Sequence, residues 1–131
     1  MIIDPKELNR LTQEAVEQGR REAEQIEREK ARQREAELVM ADGIIKQIPG
    51  RCVDAARARQ SCAIVMTKLR EGIDYVRPLG DRNYATCSEK WLVGAAKLVW
   101  DSCVGSRLQP ELQFWHDGCG MDSGFNIVVH W

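Results

Sequence analysis

The sequence predicts an α+β protein: a small three-stranded antiparallel sheet with a C-terminal β-hairpin packed on helices, preceded by a long charged N-terminal helix. Three observations predict it. Residues 1–48 hold 9 Lys+Arg and 11 Asp+Glu with no aromatic residue, whereas every Trp, Tyr, Phe and Cys comes later. Apolar residues recur at helical spacing from Trp91 to Cys103. The last 24 residues alternate apolar and polar twice, around a loop with three glycines. The expected organisation is a charged helical arm over 1–37, able to form a coiled coil, and a compact α+β domain over 38–131.

The arm opens on a dense helix-start signal. Asp4 can cap, Pro5 suits the first helical position, and Glu7 stands where a capping box needs an acid. Ile3 and Leu8 occupy the two positions of a hydrophobic staple. Pro49 disfavours helix at Ile48 and predicts an end near there, with Asp42-Gly43 as an earlier break. Forty-odd residues at 1.5 Å each would make a rod of about 60 Å. Between Glu17 and Glu37, 13 of 21 residues are charged, and Gln18, Glu22 and Gln25 fall on the seam that Leu8, Leu11 and Ala15 begin. A continuous heptad seam therefore fails mid-arm. The first two readings are a solvated helix and one that pairs with itself or a partner through Ile2, Ile3, Leu8, Leu11 and Val16; nucleic-acid contact comes third, because acidic and basic residues are intermixed.

Leu38, Val39, Ala41, Ile44, Ile45 and Ile48 recur near helical spacing and should dock on the domain. Arg51–Gln60 reads as a separate short helix. Ser61–Leu69, with Ile64, Val65 and Thr67, fits a buried strand, although a helix from Cys52 through Leu69 also fits the period. Glu71–Ala85 is a turn-rich connector that Tyr75, Val76 and Tyr84 could tack to the core. Thr86-Cys87-Ser88-Glu89 predicts a capped helix over Ser88–Val104, the central core helix, stopping near Gly105.

In the hairpin, pairing Phe114 with Ile127 and Leu112 with Val129 puts all four on one side. A bare hairpin is marginal, so Ser61–Leu69 is wanted as a third strand. Trp115 and Val128 then lie on the opposite face, which a three-stranded sheet can leave open to a partner or which the N-terminal helix can partly cover; the terminal Trp131 is a further aromatic candidate.

Composition limits the function. At 131 residues and a net charge of −1, a dedicated nucleic-acid or polybasic membrane binder is not expected. No apolar run approaches the ~20 residues of a membrane span, and Met1–Pro5 does not read as the start of a signal peptide. Five cysteines, an odd number without a Cys-x-x-Cys pair, suggest reduced thiols and a cytoplasmic location. His116, Cys119, Cys103 and His130 are zinc-type ligands, but the hairpin sets the two histidines on opposite faces and far apart, so no metal is expected. His116, Asp117 and Cys119 at the hairpin tip remain an alternative metal- or thiol-dependent site. Arg51, Arg57, Arg59, Lys68 and Arg70 form a locally basic Arg51–Arg70 stretch, a weaker nucleic-acid alternative. The function expected first is non-enzymatic and needs no cofactor: a protein–protein interaction or homo-oligomer module using Ile3, Leu8, Leu11, Val16, Trp115, Val128 and Trp131.

Overall fold

A computed structural model describes residues 3–118 and 122–131. The first helix, α1, runs Pro5–Arg57. Asp4 caps it: its Oδ1 accepts the Lys6 N–H at 3.0 Å and its carbonyl accepts the Leu8 N–H at 3.1 Å. Glu7 does not close the expected box, because its carboxylate is engaged by Arg10. Neither predicted interruption of the helix occurs. Gly43 is passed without a break, and Pro49 lies inside the helix, which absorbs the supposed separate segment Arg51–Gln60 as far as Arg57. A proline removes one donor and crowds the carbonyl four residues back. Ile44, Ile45, Ile48 and Cys52, on the turns either side of it, all pack on the core and hold the helical path. The chain divides into two units, Met1–Glu35 and Ala36–Trp131.

The second unit carries the sheet. Strand β1 is Cys62–Leu69, β2 is Gln109–His116 and β3 is Ser123–His130, in the antiparallel order β1-β3-β2. The stretch after Ser61 is thus a strand, as its β-branched content predicts. The hairpin register differs by two residues from the expected one: Leu112 faces Ile127, Phe114 faces Phe125 and Trp115 faces Gly124. A shift of two preserves which side chains share a face. It also lengthens the ladder to His116–Ser123, places the Phe114 and Phe125 rings 5.6 Å apart, and lets the Trp115 indole lie on a residue without a side chain. A Cβ on Gly124 would meet Trp115 Nε1 at 3.0 Å and the Leu69 carbonyl at 3.1 Å.

The predicted helix over Ser88–Val104 is two elements. Ser88 caps a 3-10 turn over Glu89–Trp91, and helix α2 covers Gly94–Gly105. The chain breaks between them because the connector pairs there: the Val93 N–H donates to the Asp74 carbonyl at 2.9 Å and the Val76 N–H to the Trp91 carbonyl at 3.0 Å. Gly94, at φ +58, restarts the helix. Ala95, Ala96, Val99 and Cys103 of α2 then bury against Met66, Leu69, Phe125, Ile127 and Val129, with Ala41 and Ile48 of α1 in the same core.

Both helices end in the same way. After α1, the Gln60 N–H donates to the Ala55 carbonyl and the Arg59 N–H to Ala56; after α2, Leu108 donates to Cys103 and Arg107 to Val104. These are Schellman closures, whose left-handed residue is most often glycine. Here it is Arg59 at φ 63 and Arg107 at φ 62. A side chain in that region costs roughly 1–2 kcal/mol, so Arg107→Gly is expected to stabilise the protein by about 1 kcal/mol, read as a higher urea midpoint at unchanged slope.

Among the described residues, no helix is long and apolar enough to cross a membrane.

Candidate functional site

Three places can carry function. The first is the apolar stripe of the Met1–Glu35 unit. At 100° per residue, Leu11, Ala15, Gly19, Ala23 and Ile26 all fall within about 60° of Leu8 around the helix. Leu8 and Leu11 are each 48% exposed and Ile26 55%. Ile3 and Val16 are exposed too, and Val16 sits on the flank of the stripe. Ile26 lies off the heptad seam, because the stripe follows the straight-helix period of 3.6 rather than 3.5. Acids and bases cover the remaining surface, with Arg10 bridging Glu7 and Glu14, and Arg20 and Arg21 both reaching Glu17.

The second is the sheet face opposite the core. The sheet does turn Trp115 and Val128 to that side, but neither offers a free surface of the expected kind. Val128 is 2% exposed, ringed by Ile64 and Glu111 on the neighbouring strands and by Asn126 and His130 on its own. His130 Nε2 lies 2.8 Å from a Glu111 carboxylate oxygen, which closes one side of that ring. Trp115 is half-buried over Gly124, with Lys68 Nζ 5.7 Å from its ring centre. Ile64 and Trp131 remain exposed. The Ile127-Val128-Val129 run was the available signal that β3 is central and covered on both faces.

The third lies where the connector meets the turn end of the hairpin. A cavity of about 420 Å³ is walled by Tyr75, Phe114 and Phe125, with Tyr84 and Arg77 on the connector side and Arg70, Glu71, Asp122 and Ser123 around it. Of the three residues expected to tack this connector to the core, Tyr75 is buried, while Val76 and Tyr84 are exposed. Its organiser is Arg77, whose side chain is 3% exposed. Nη1 donates to the Asn83 carbonyl at 2.9 Å and to Asp81 Oδ1 at 3.3 Å, and Nη2 donates to the Thr86 carbonyl at 2.9 Å. The guanidinium carbon stands 5.9, 5.3 and 5.1 Å from the ring centres of Tyr75, Tyr84 and Trp91. Burial pushes the Tyr75 phenol up, opposed by the neighbouring Arg77 and assisted by Glu71. The legible signal was Arg77 and Arg82 set among three aromatic residues, Tyr75, Tyr84 and Trp91, within the 75–91 stretch.

At the hairpin tip, His116 Nδ1 accepts the Gly118 N–H at 3.1 Å, and the Asp117 N–H pairs with the Asp122 carbonyl at 3.1 Å. Those are turn-forming roles. Cys119 and Ile2 lie outside the described residues. No group of three or more metal-ligating side chains occurs among the described residues. His116 and His130 sit on opposite faces, as the alternation predicts. The basic stretch is divided among local tasks: Arg51 donates to the Ile64 carbonyl at 3.1 Å on the β1 edge, Lys68 covers Trp115, and Arg70 borders the cavity.

Cys52 and Cys103 line a separate gap of about 270 Å³ beside Pro49. Burial pushes the Cys103 thiol up to about 11, with Cys52 adding to the effect. A raised folded-state pKa favours the fold while the thiol is protonated, so that stability is complete below the ordinary thiol range and is lost as pH rises through 11. The expected loss between pH 8 and 11 is on the order of 1–2 kcal/mol. Urea midpoints across that range check it, and a Cys103→Ala variant should show a flatter profile.

The fold class these elements define is α+β. Compared with known proteins, the chain matches no family model, no curated protein and no solved structure.

Proposed function

We propose that the protein is a non-enzymatic self-association module whose N-terminal helix pairs with the same helix of a second copy. The observation that supports this is the stripe Leu8, Leu11, Ile26: large apolar side chains, exposed and aligned along one side of a helix. An amphipathic helix gains most of its stability from packing that side, and isolated helices rely on weak propensities and pairs worth only ~0.2–0.5 kcal/mol each. Ala15, Gly19 and Ala23 in the middle of the stripe allow two helices to approach closely. Charge favours a second copy over a strongly acidic or basic partner. Residues 1–35 carry 8 Lys+Arg and 9 Asp+Glu, intermixed, so two copies meet without net repulsion. A cytoplasmic location belongs to the same reading, supported by the free thiols Cys52, Cys62, Cys87 and Cys103. The sheet contributes at most Ile64 and Trp131 to such an interface, since Val128 is covered.

Sedimentation equilibrium of the full chain tests it. The expected mass is a multiple of 14.9 kDa at micromolar concentration. A double variant, Leu8→Glu with Leu11→Glu, should sediment as a monomer with its helix content retained. At roughly 1.5 kcal/mol or more for each leucine buried, the association constant should fall at least about 1000-fold. A wild-type chain that stays monomeric throughout would remove the proposal.

A further inference from the structure

The connector cavity is built like a ligand site, and nothing in the self-association reading uses it. Its volume lies within the range of small-molecule pockets, roughly 300–1,000 Å³. Aromatic walls and a few charged groups converge on it, which is the usual lining of such pockets. Two of the aromatic residues that line it are exposed, Tyr84 at 66% and Phe114 at 40%.

The charges narrow the ligand's chemistry. Arg77 is a buried cation whose Nε has no hydrogen-bond partner among the described residues, and its one carboxylate partner, Asp81, is 29% exposed. That Nε is closed to solvent, so Arg77 gives the cavity wall a positive charge rather than a hydrogen-bond donor within a ligand's reach. Arg70 adds a second positive charge beside the cavity. Glu71 and Asp122 bring two negative charges to the same rim. None of Arg70, Glu71 and Asp122 makes a side-chain ion pair with another described residue. A simple anion would face two carboxylates, and a simple amine would face two guanidinium groups. A ligand carrying both charges complements all four.

We propose that this cavity binds a small zwitterion, an α-amino acid with an aromatic side chain. Its carboxylate meets the arginine side, its ammonium meets Glu71 and Asp122, and its ring lies against Tyr84 and Phe114. The binding step is non-covalent and independent of whether the N-terminal helix pairs.

Calorimetric titration of the full chain tests it with three probes of one shape: L-phenylalanine, 3-phenylpropionate, which lacks the amine, and 2-phenylethylamine, which lacks the carboxylate. Phenylalanine should bind saturably, and each one-charge analogue at least tenfold more weakly. The exposed rim variants Arg70→Gln and Asp122→Asn should each weaken phenylalanine binding about tenfold while leaving the thermal midpoint of the free protein unchanged. Arg77 is left intact in these variants because it also holds the connector together. Absence of saturable binding up to about 10 mM would overturn the proposal, since weaker affinity than that carries almost no recognition energy. So would analogues that bind as tightly as the amino acid, or rim variants that bind it unchanged.

Discussion

Replacing Arg77 by methionine is expected to destabilise the protein by about 3–5 kcal/mol, the scale on which removing one partner from a buried charged network acts. Methionine fills much the same length, so lost volume contributes little. What is lost is the donor set. The Asn83 and Thr86 carbonyls lose their guanidinium partners, and three aromatic rings lose the cation between them. Both acceptors belong to exposed residues, and the Asn83 carbonyl keeps the Thr86 N–H and hydroxyl as donors, so the loss falls chiefly on the aromatic cage around the cation. Arg77→Lys retains the charge and loses the fork, since a lysine ammonium cannot reach both carbonyls in the planar geometry; an intermediate loss of about 2 kcal/mol is expected. Asp81→Asn should cost less than about 1 kcal/mol, because that carboxylate is partly solvated and 3.3 Å from Nη1. Urea unfolding followed by tryptophan fluorescence checks the series, because Trp91 stacks on the guanidinium. An Arg77→Met loss below 1 kcal/mol would mean that the connector holds its place without the arginine.

Truncating Ile127 to alanine should cost about 3–4 kcal/mol. Ile127 is fully buried at the centre of the middle strand, paired with Leu112 on one side and Met66 on the other. It packs in the core with residues of α2, so no single neighbour can collapse into the space. Against a total stability of roughly 5–15 kcal/mol for a small domain, that loss is a large fraction. The contrast is Ile64→Ala in β1, on the solvent side of the same sheet, for which less than about 1 kcal/mol is expected. Chemical denaturation of the two variants separates core burial from surface strand propensity.

The elements themselves were largely legible. Asp4-Pro5 marks the start of α1 through local chemistry, and β2 and β3 show their period of two. The end of α2 at Gly105 was legible; the end of α1 at Arg57 was not, because it closes on Arg59 in the left-handed conformation where glycine is the usual marker. The path through Pro49 was not legible either. It depends on Ile45, Ile48 and Cys52 packing on the core, which outweighs a local bias against helix. The connector cavity was invisible for a similar reason. Glu71, Arg77, Tyr84 and Asp122 are scattered over fifty residues, and only the fold brings them to one opening.

By itself, the sequence determined the α+β class, the charge-rich first helix without aromatic residues, the strand alternation, and which hairpin side chains share a face. Such properties follow from periods and caps that act within a few residues. Tertiary structure decided the register by two places, the central position of β3, the split before α2, and the burial of Val128 and Arg77. Those outcomes turn on contacts between residues far apart in the chain, where the burial of apolar surface and the pairing of backbone groups outweigh local preference.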